Sequence, residues 1–282
     1  MTKKITFVAD FFANQVNGGG ELNNEEAILL LEKNGYSVQR MASQDLSPKS
    51  LLENKSDFYI VANFIGLDPV CKDIFVQQEY RYVIYEHDHK YLKTRDPSHF
   101  QDYRAPKNQI INQDFYSSAI AVFCQSKMHK QVVEKNLKTK NIVNLGGNLW
   151  SEDTLSFLSS LAKKTKQERY SIWDSYNPIK STAETIAFCT KRNIPYQLVG
   201  NLPHNDFLDK LSNNNTFIFL PKTLETLCRV VVEARMCGMK VVTNNKVGAT
   251  SEEWFSLKGL DLIEKMRSKR TEIYKKIEET IK

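Results

Sequence analysis

The chain has 282 residues, 41% hydrophobic and 26% charged, enough apolar content for one large or two ordinary cores and too little polarity for disorder. Its apolar runs are strand-sized, so the sequence predicts neither a transmembrane helix nor a signal peptide and favours a cytoplasmic protein. The net charge of +6 suits an anionic small molecule, an anionic surface or nucleic acid without choosing among them.

The first half of the chain alternates strand-like and helix-like segments. Strands are predicted at Ile5–Ala9, Ser37–Met41, Phe58–Ala62, Tyr82–Tyr85, Ile120–Cys124 and Asn141–Asn144. Helices are predicted at Leu22–Asn34, Pro69–Gln78, Lys107–Ser117 and Ser126–Asn136. Alternation of this kind indicates a parallel sheet with crossover helices.

The second half repeats the alternation with fewer strands. These are predicted at Arg169–Trp173, Tyr196–Val199, Thr216–Leu220 and Lys240–Thr243. Helices are predicted at Asp153–Lys164, Thr182–Arg192, Asn205–Ser212, Thr226–Cys237 and Leu260–Ile281. The last of these is long, charged and amphipathic.

The best domain break is the segment 146–166, which begins with two glycines. We therefore expect one domain over residues 1–150 and a second over residues 166–257, followed by the final helix at 258–282. The predicted fold class is α/β, with two Rossmann-like, doubly wound parallel sheets.

Five cysteines are scattered along the chain without a CxxC pair, mostly inside apolar runs. They are Cys71, Cys124, Cys189, Cys228 and Cys237. Their odd number and spacing predict buried, reduced thiols rather than a disulfide framework or a zinc site.

Two glutamates, Glu225 and Glu233, lie eight positions apart after a predicted strand. On one helix they would be separated by about 12 Å along the axis. The carboxyl ends of parallel strands are where open α/β sheets bind ligands. The pair therefore fits a nucleotide diphosphate-sugar, whose two ends carry hydroxyl groups and whose diphosphate suits free amides at a helix start.

Each glutamate also has a plainer interpretation. Glu225 fits a helix-start carboxylate that faces the helix dipole. Glu233 lies within the apolar run 230–234, where a carboxylate needs a partner. His129, His204 and Trp254 carry no specific signal.

The glutamate pair resembles the E-x7-E motif of the group 1 family of GT-B glycosyltransferases. Three further segments resemble that family in the expected order: the glycine loop Asn17–Glu21, the Asn-Pro-x-Lys element Asn177–Lys180, and the loop Val247–Glu252. The resemblance implies two Rossmann-like domains facing across a cleft. The first would bind the acceptor, the second the donor, and the final helix would pack back on the first.

The resemblance also implies individual roles. Glu225 would contact the hydroxyls of the donor sugar as a catalytic residue, Glu233 would hold the ribose, and Lys180 would neutralise the diphosphate. The donor-binding residues implied in this way are Gly19, Gly20, Lys180, Glu225, Thr226, Leu227 and Glu233.

The chain departs from the family before Lys180. The family commonly places an arginine there, whereas this chain has Trp173–Tyr176. Arg229 or Lys222 is a candidate substitute. The glycine run at 18–20 also fits an ordinary flexible turn, because it lacks GxGxxG spacing.

A second polar cluster, Glu86–Lys90, directly follows a predicted strand. In one interpretation it is the acceptor side, with His87 or Asp88 orienting or deprotonating a hydroxyl as a catalytic residue. In another, Glu86 and Asp88 hold a metal ion. The third is a solvated polar loop. The metal interpretation is disfavoured because E-x7-E donor sites offer cations and amides, so we expect no metal and no cofactor, the nucleotide-sugar being a substrate.

The loop 91–104 is basic, aromatic and broken by proline. Together with the preceding cluster it suggests His89, Lys93 and Arg95 as acceptor-binding residues, because cations seat phosphates and aromatics stack on sugars or bases. The plainer interpretation is a long surface loop.

The sequence thus predicts a hexosyltransferase-like enzyme, retaining and metal-independent by resemblance, whose acceptor is a saccharide or a lipid-linked saccharide. The net charge also permits peripheral contact with an anionic surface. Alternatives are transfer to a hydroxymethylated base in DNA, a non-catalytic nucleotide-sugar binding protein and a sugar-nucleotide epimerase.

Overall fold

The computed structural model describes residues 3–16, 18–53, 55–200 and 202–282. The chain divides into two compact units. Unit 1 comprises residues up to Leu149 together with Arg270–Lys282, and unit 2 comprises Trp150–Lys269. The division lies inside the segment 146–166 that the sequence indicates as the break, and residues 151–165 belong to unit 2.

Unit 1 contains, within its described residues, a six-stranded parallel sheet of order β2-β1-β3-β4-β5-β6. Its strands are β1 (Lys4–Ala9), β2 (Ser37–Ala42), β3 (Phe58–Val61), β4 (Tyr82–Tyr85), β5 (Ala121–Cys124) and β6 (Ile142–Asn144). Its helices are α1 (Gly19–Lys33), α2 (Pro48–Glu53), α3 (Pro69–Gln77), α4 (Gln113–Ser118) and α5 (Lys127–Asn136).

The central strands of unit 1 are apolar on both faces because helices cover both sides of the sheet. Every residue of β3, β4 and β5 is buried, as expected of a parallel sheet. Two helix starts are fixed by side-chain caps: Asp68 accepts from the Val70 N–H before α3, and Ser126 accepts from the His129 N–H before α5.

The end of the last helix belongs to the core of unit 1. This helix, α10 (Gly259–Ile281), places Ile273, Ile277 and Ile281 in the cluster formed by the strands β1 and β3. Lys3 and Arg81 both donate to the Ile281 carbonyl, at 3.2 and 3.0 Å. Apolar burial and these two bonds therefore hold the chain's last turn on unit 1.

Unit 2 contains, within its described residues, a four-stranded parallel sheet of order β10-β9-β7-β8. Its strands are β7 (Gln167–Trp173), β8 (Tyr196–Val199), β9 (Asn214–Phe219) and β10 (Lys240–Thr243). Besides the first part of α10, its helices are α6 (Glu152–Ala162), α7 (Thr182–Lys191), α8 (His204–Leu211) and α9 (Arg229–Met236).

Two predicted helices differ from the structure. The segment 107–117 is interrupted, because Leu92 and Ile110 form an antiparallel bridge and Asn112 has a left-handed φ of 56°. Helix α9 begins at Arg229 instead of Thr226, because Cys228 has a left-handed φ of 73°. The short helix α2 was not predicted.

All five cysteines are buried, as predicted, and none forms a disulfide within the described chain. None of the helices in the described ranges has the length and apolar character that a membrane crossing needs.

The aromatic core of unit 1 gives a stability test. Phe75 is fully buried, and its ring centroid lies 5.0–5.8 Å from those of Tyr59, Tyr82 and Phe115. Phe75→Ala should lower the free energy of unfolding by about 3–5 kcal/mol because it leaves a cavity. Urea denaturation measures this, and Leu52→Ala, at a side chain that is 56% exposed, is the control. Equal midpoints for the two variants would contradict the packing described.

Candidate functional site

The loops after strands β7 and β9 meet at one edge of the unit 2 sheet. After β7, Pro178–Lys180 forms a short 3-10 turn, and the Asn177 side chain accepts from the Ile179 N–H at 3.2 Å. After β9, the Lys222 N–H donates to the Ile179 carbonyl at 3.0 Å. The two strands are parallel neighbours, so this is their carboxyl edge, the usual ligand edge of such a sheet.

Lys180 and Glu225 form an ion pair at this edge. Lys180 Nζ lies 2.6 Å from Glu225 Oε1, and the two side chains are 19% and 16% exposed. The ammonium lies 5.5 Å from the Trp173 ring centroid and 6.0 Å from that of Phe219. Burial acts to lower the pKa of Lys180, but Glu225 outweighs it and the pKa is raised. The lysine therefore stays protonated in a partly dehydrated position.

Glu225 precedes helix α9 and is held in extended backbone. It pairs with Val247 in a parallel bridge, its N–H donating to the Lys246 carbonyl and its carbonyl accepting from the Gly248 N–H, each at 2.8 Å. Glu225 and Glu233 consequently do not share a helix, and the expected separation along one axis is wrong. Glu225 is thus held by residues 246–248, which overlap the segment Val247–Glu252 that resembles the glycosyltransferase family.

The start of α9 presents amide groups to this edge. Thr226 and Leu227, the predicted phosphate-binding amides, lie in the loop before the helix. In the described ranges, the N–H groups of Leu227 and Val230 have no acceptor. The N–H groups of Leu227 and Val230 are thus available at the first turn of the helix, where free amides and the helix dipole attract anions.

Glu233 is buried in unit 2 and ringed by donors. Its Oε1 accepts from Trp150 Nε1 at 2.9 Å and from Arg229 Nε at 3.1 Å, and its Oε2 lies 3.2 Å from His204 Nε2. Burial acts to raise the pKa of Glu233, but these partners, His204 foremost, lower it. Burial likewise acts to lower the pKa of His204, yet Glu233 raises it. Glu233 is therefore a buried anion whose less crowded oxygen is Oε2.

Unit 1 has its own polar edge, at the end of β4, centred on Glu86. This side chain is fully buried, and its Oε1 accepts from Lys90 Nζ at 2.9 Å and from the His87 and Asp88 N–H groups, each at 3.0 Å. The Tyr116 hydroxyl donates to Oε2. Burial acts to raise the pKa of Glu86, but Lys90 foremost holds it well below the usual range.

These contacts bear on the metal interpretation of Glu86 and Asp88. Both Glu86 oxygens already accept hydrogen bonds, which leaves the carboxylate poorly placed to ligate a cation. In the described part of the chain, no group of three or more His, Cys, Asp or Glu side chains has a geometry that fits a metal ion.

His87 is held by hydrogen bonds at both ring nitrogens. Gln125 Nε2 lies 2.8 Å from Nδ1 and also donates to the Glu86 carbonyl, so Nδ1 is the acceptor. Nε2 then carries the proton and donates to Asn24 Oδ1 at 2.8 Å. Burial, assisted by Lys90, lowers the pKa of His87 to about 4. Both ring nitrogens of His87 thus already make hydrogen bonds, and its predicted role as a base stays a prediction.

Asp88 is the carboxylate of this cluster that reaches solvent. Its side chain is 42% exposed, its Oδ2 lies 3.1 Å from an Arg95 nitrogen, and its Oδ1 pairs with Lys90. Arg95 thus neutralises Asp88, although it was predicted to bind the acceptor directly. Lys93, predicted to do the same, is exposed.

His89 does not fit its predicted acceptor-binding role. It is 1% exposed, its Nδ1 lies 2.9 Å from the Tyr91 hydroxyl, and its ring centroid lies 4.9 Å from that of His129. Burial lowers the pKa of His89 to about 4 and that of His129 well below its usual range. His89 is therefore a neutral core residue that the sequence could not distinguish from an exposed one.

The glycine loop lies beside the same cluster. Gly19 and Gly20 are the first residues of α1 and not part of a loop, and Asn17 lies outside the described residues. A Cβ placed on Gly20 would meet the His87 ring at 3.6 Å, an ordinary contact. The start of α1 thus borders the His87 ring, while the predicted donor-binding role of the two glycines stays a prediction.

No protein-family model and no curated protein matches the chain. Solved structures match it over nearly its whole length. Anabaena Alr3699/HepE in complex with UDP and glucose is 16% identical with a TM-score of 0.56, covering 96% of this chain and 92% of that one. Sucrose-phosphate synthase (tll1590) from Thermosynechococcus elongatus is 10% identical with a TM-score of 0.60, covering 99% and 94%.

A third similar structure is an alpha-glucosyltransferase in complex with UDP and a 13-mer DNA containing an HMU base. It is 14% identical with a TM-score of 0.52, covering 98% of this chain and 95% of that one. Together with the two parallel sheets, these likenesses confirm the predicted fold class: two Rossmann-like units of the kind found in GT-B glycosyltransferases.

The buried histidines of unit 1 predict a pH effect on stability. His89 has a pKa of about 4 when folded and about 6.5 when unfolded. Between these values the unfolded chain binds more protons, so stability falls as the pH falls. From pH 7 to 5.5, His89 alone should remove roughly 1 kcal/mol from the free energy of unfolding.

Urea denaturation at both pH values measures this effect. In His89→Gln the difference between the two pH values should shrink by that amount, whatever the absolute stability of the variant. A difference as large as that of the unmodified protein would contradict a neutral, buried His89.

Proposed function

We propose that the protein is a glycosyltransferase that moves a sugar from a nucleoside diphosphate-sugar to an acceptor hydroxyl. One observation carries the proposal: the Lys180–Glu225 ion pair lies at the carboxyl edge of the unit 2 sheet, near the first turn of α9. A cation, a carboxylate and free amides are the groups that a diphosphate joined to a polyhydroxylated sugar requires.

Lys180 binds the diphosphate in this proposal. When the bond between the sugar carbon and the phosphate oxygen breaks, negative charge grows on the leaving diphosphate. A fixed ammonium therefore stabilises the transition state more than the bound substrate, which is what accelerates the reaction. Glu225 accepts hydrogen bonds from the sugar hydroxyls and keeps Lys180 in place until the donor arrives.

Glu233 binds the ribose through Oε2. Trp150 and Arg229 occupy Oε1, whereas His204 is the partner found at Oε2. A carboxylate oxygen accepts more than one hydrogen bond, so a ribose hydroxyl can join His204 there. The low pKa of Glu233 keeps it an acceptor near neutral pH.

Lys222 is the better substitute for the arginine that precedes the lysine in the family. Arg229 bonds Glu233 and lies 4.5 Å from the Trp150 ring centroid, so it is already engaged. Lys222 pairs with Glu184 on the surface, where both side chains are half exposed. Exposed pairs contribute little, so Lys222 can turn to a diphosphate at small cost.

The reaction class that we propose is retaining, metal-independent transfer. The bond from the donor sugar to the diphosphate breaks, the acceptor oxygen bonds the same carbon from the same face, and the acceptor proton passes to the departing phosphate oxygen. This needs no separate protein base. It agrees with a His87 whose two nitrogens are hydrogen-bonded and leaves Asp88 to orient an acceptor hydroxyl.

The comparisons support the donor class and suggest its base. The similar Anabaena structure holds UDP and glucose, and the alpha-glucosyltransferase structure holds UDP. We therefore propose a UDP-sugar as the donor and a saccharide or lipid-linked saccharide as the acceptor. The alpha-glucosyltransferase complex also contains DNA with an HMU base, which makes a base in DNA the second candidate acceptor.

Variants at the ion pair test the proposal. Lys180→Met should weaken UDP binding about 10- to 100-fold, because a hydrogen bond to a charged group contributes about 1.5–3 kcal/mol. Glu225→Gln should leave UDP affinity within about threefold and lower sugar transfer at least about 100-fold, because it acts on the sugar. Calorimetry and mass spectrometry of UDP release measure the two effects.

Lys191→Met, at an exposed lysine at the end of α7, is the control and should retain both properties. Failure of the unmodified protein to bind any uridine, guanosine or adenosine diphosphate, free or sugar-linked, would refute the proposal. Binding without any transfer would make the protein a nucleotide-sugar sensor.

A further inference from the structure

The positive charge of the chain is concentrated in one part of unit 1. Residues 86–140 contain ten Lys or Arg and six Asp or Glu, a net charge of +4, which is most of the net charge of +6 of the whole chain. The remaining 227 residues together carry +2. Such a concentration produces a local field that a dispersed excess of the same size does not.

Six exposed cations of this segment have no acidic partner in the described part of the chain. We call them the basic surface: Lys93, Arg104, Lys107, Lys135, Lys138 and Lys140. Surface cations elsewhere are often paired, for example Arg40 with Glu25 and Glu32. Unpaired cationic side chains can replace the counterions that surround a polyanion, and the release of those counterions favours binding.

Hydrogen bonds fasten the loop that carries half of these cations to helix α5. Asn136 accepts from the Ala105 N–H and donates to the Tyr103 carbonyl, each at 2.8 Å. Lys135 donates to the Asp102 carbonyl at 3.1 Å. Arg104 and Lys135 thereby line one open depression of about 620 Å³.

Backbone hydrogen bonds also position Lys93, Lys107 and Lys138. The Lys93 N–H donates to the Gln109 carbonyl at 3.0 Å, which holds Lys93 close to the turn that contains Lys107. The Lys138 N–H donates to Gln113 Oε1 at 3.3 Å, which ties the connection after α5 to the start of α4. The cations therefore project from backbone that is already ordered, which reduces the entropy lost on binding.

The chemistry of this surface favours nucleic acid over a lipid bilayer. Of the large hydrophobic side chains in 89–140, Ile120 alone is exposed, at 43%, whereas peripheral membrane elements bury an apolar face. The same surface offers polar side chains such as Gln101 and Asn108. Cations and amides of this kind contact the phosphates of nucleic acids.

We propose that the basic surface binds the phosphate backbone of a nucleic acid. The charge and geometry of unit 1 support this binding. Its purpose rests on the proposed function, because DNA binding would bring a base in DNA, the second candidate acceptor, to the enzyme. No base is read by contacts of this type, so affinity should depend on charge and hardly on sequence.

Fluorescence anisotropy with a labelled 20-base-pair DNA duplex tests this proposal. Six phosphate contacts predict that the logarithm of the association constant falls with the logarithm of salt concentration with a slope of about −5. The triple variant Lys135→Gln, Lys138→Gln, Lys140→Gln should reduce that slope by about three and weaken binding at 0.1 M salt about tenfold or more.

The control is the triple variant Lys33→Gln, Lys49→Gln, Lys55→Gln, which removes the same charge from exposed lysines elsewhere in unit 1. It should bind DNA nearly as well as the unmodified protein. Urea denaturation of both variants shows whether a loss of DNA binding comes from a loss of folding. If a variant is partly unfolded, the salt dependence of DNA binding by its folded fraction still tests the proposal.

Three results would overturn the proposal: no duplex binding at 0.05 M salt, an equal loss in both triple variants, or binding to phosphatidylserine vesicles with none to DNA. A single-stranded 20-mer as competitor distinguishes the duplex from a single strand as the source of the phosphates. DNA binding by a protein that binds no nucleotide would refute the proposed function and leave this inference standing.

Discussion

A buried carboxylate in each unit is the constraint on which the two polar clusters depend. Glu86 in unit 1 and Glu233 in unit 2 are both almost fully buried, and a buried charge is tolerated only with strong partners. Glu86 recruits Lys90 and Tyr116, and Glu233 recruits Trp150, Arg229 and His204. Their burial thus fixes the side chains around each edge, including those that remain accessible.

The partly exposed side chains are the ones that we propose to contact the substrates, whereas the buried carboxylates position their neighbours. Lys180 and Glu225 are partly exposed and bond mainly each other, so a diphosphate and a sugar can replace that contact at little net cost. Asp88 is also partly exposed, and it borders the Glu86 network through Lys90. This difference in burial explains why Glu225 and Asp88 have different proposed roles from Glu233 and Glu86.

Local patterns in the sequence predicted most strands, the helix order and the segments around Lys180, Glu225 and Glu86. The sequence could not reveal the left-handed Cys228, because non-glycine residues adopt that conformation rarely and the local sequence gives no sign of it. The apolar run around Glu233 indicates that its carboxylate needs hydrogen-bond donors. The sequence could not identify them, because Trp150 and His204 lie 83 and 29 residues away. The sequence also could not predict the burial of His89, because a histidine that follows a strand gives the same sequence pattern whether its side chain faces the core or the solvent.

A crystal structure of the protein soaked with UDP tests whether the edge of unit 2 that carries Lys180 and Glu225 is the donor site. We expect the diphosphate within hydrogen-bond distance of Lys180 Nζ and of the amides at the start of α9, with the ribose at Glu233 Oε2. Density for UDP elsewhere on the protein, or an intact Lys180–Glu225 pair with no nucleotide at this edge under saturating UDP, would contradict it.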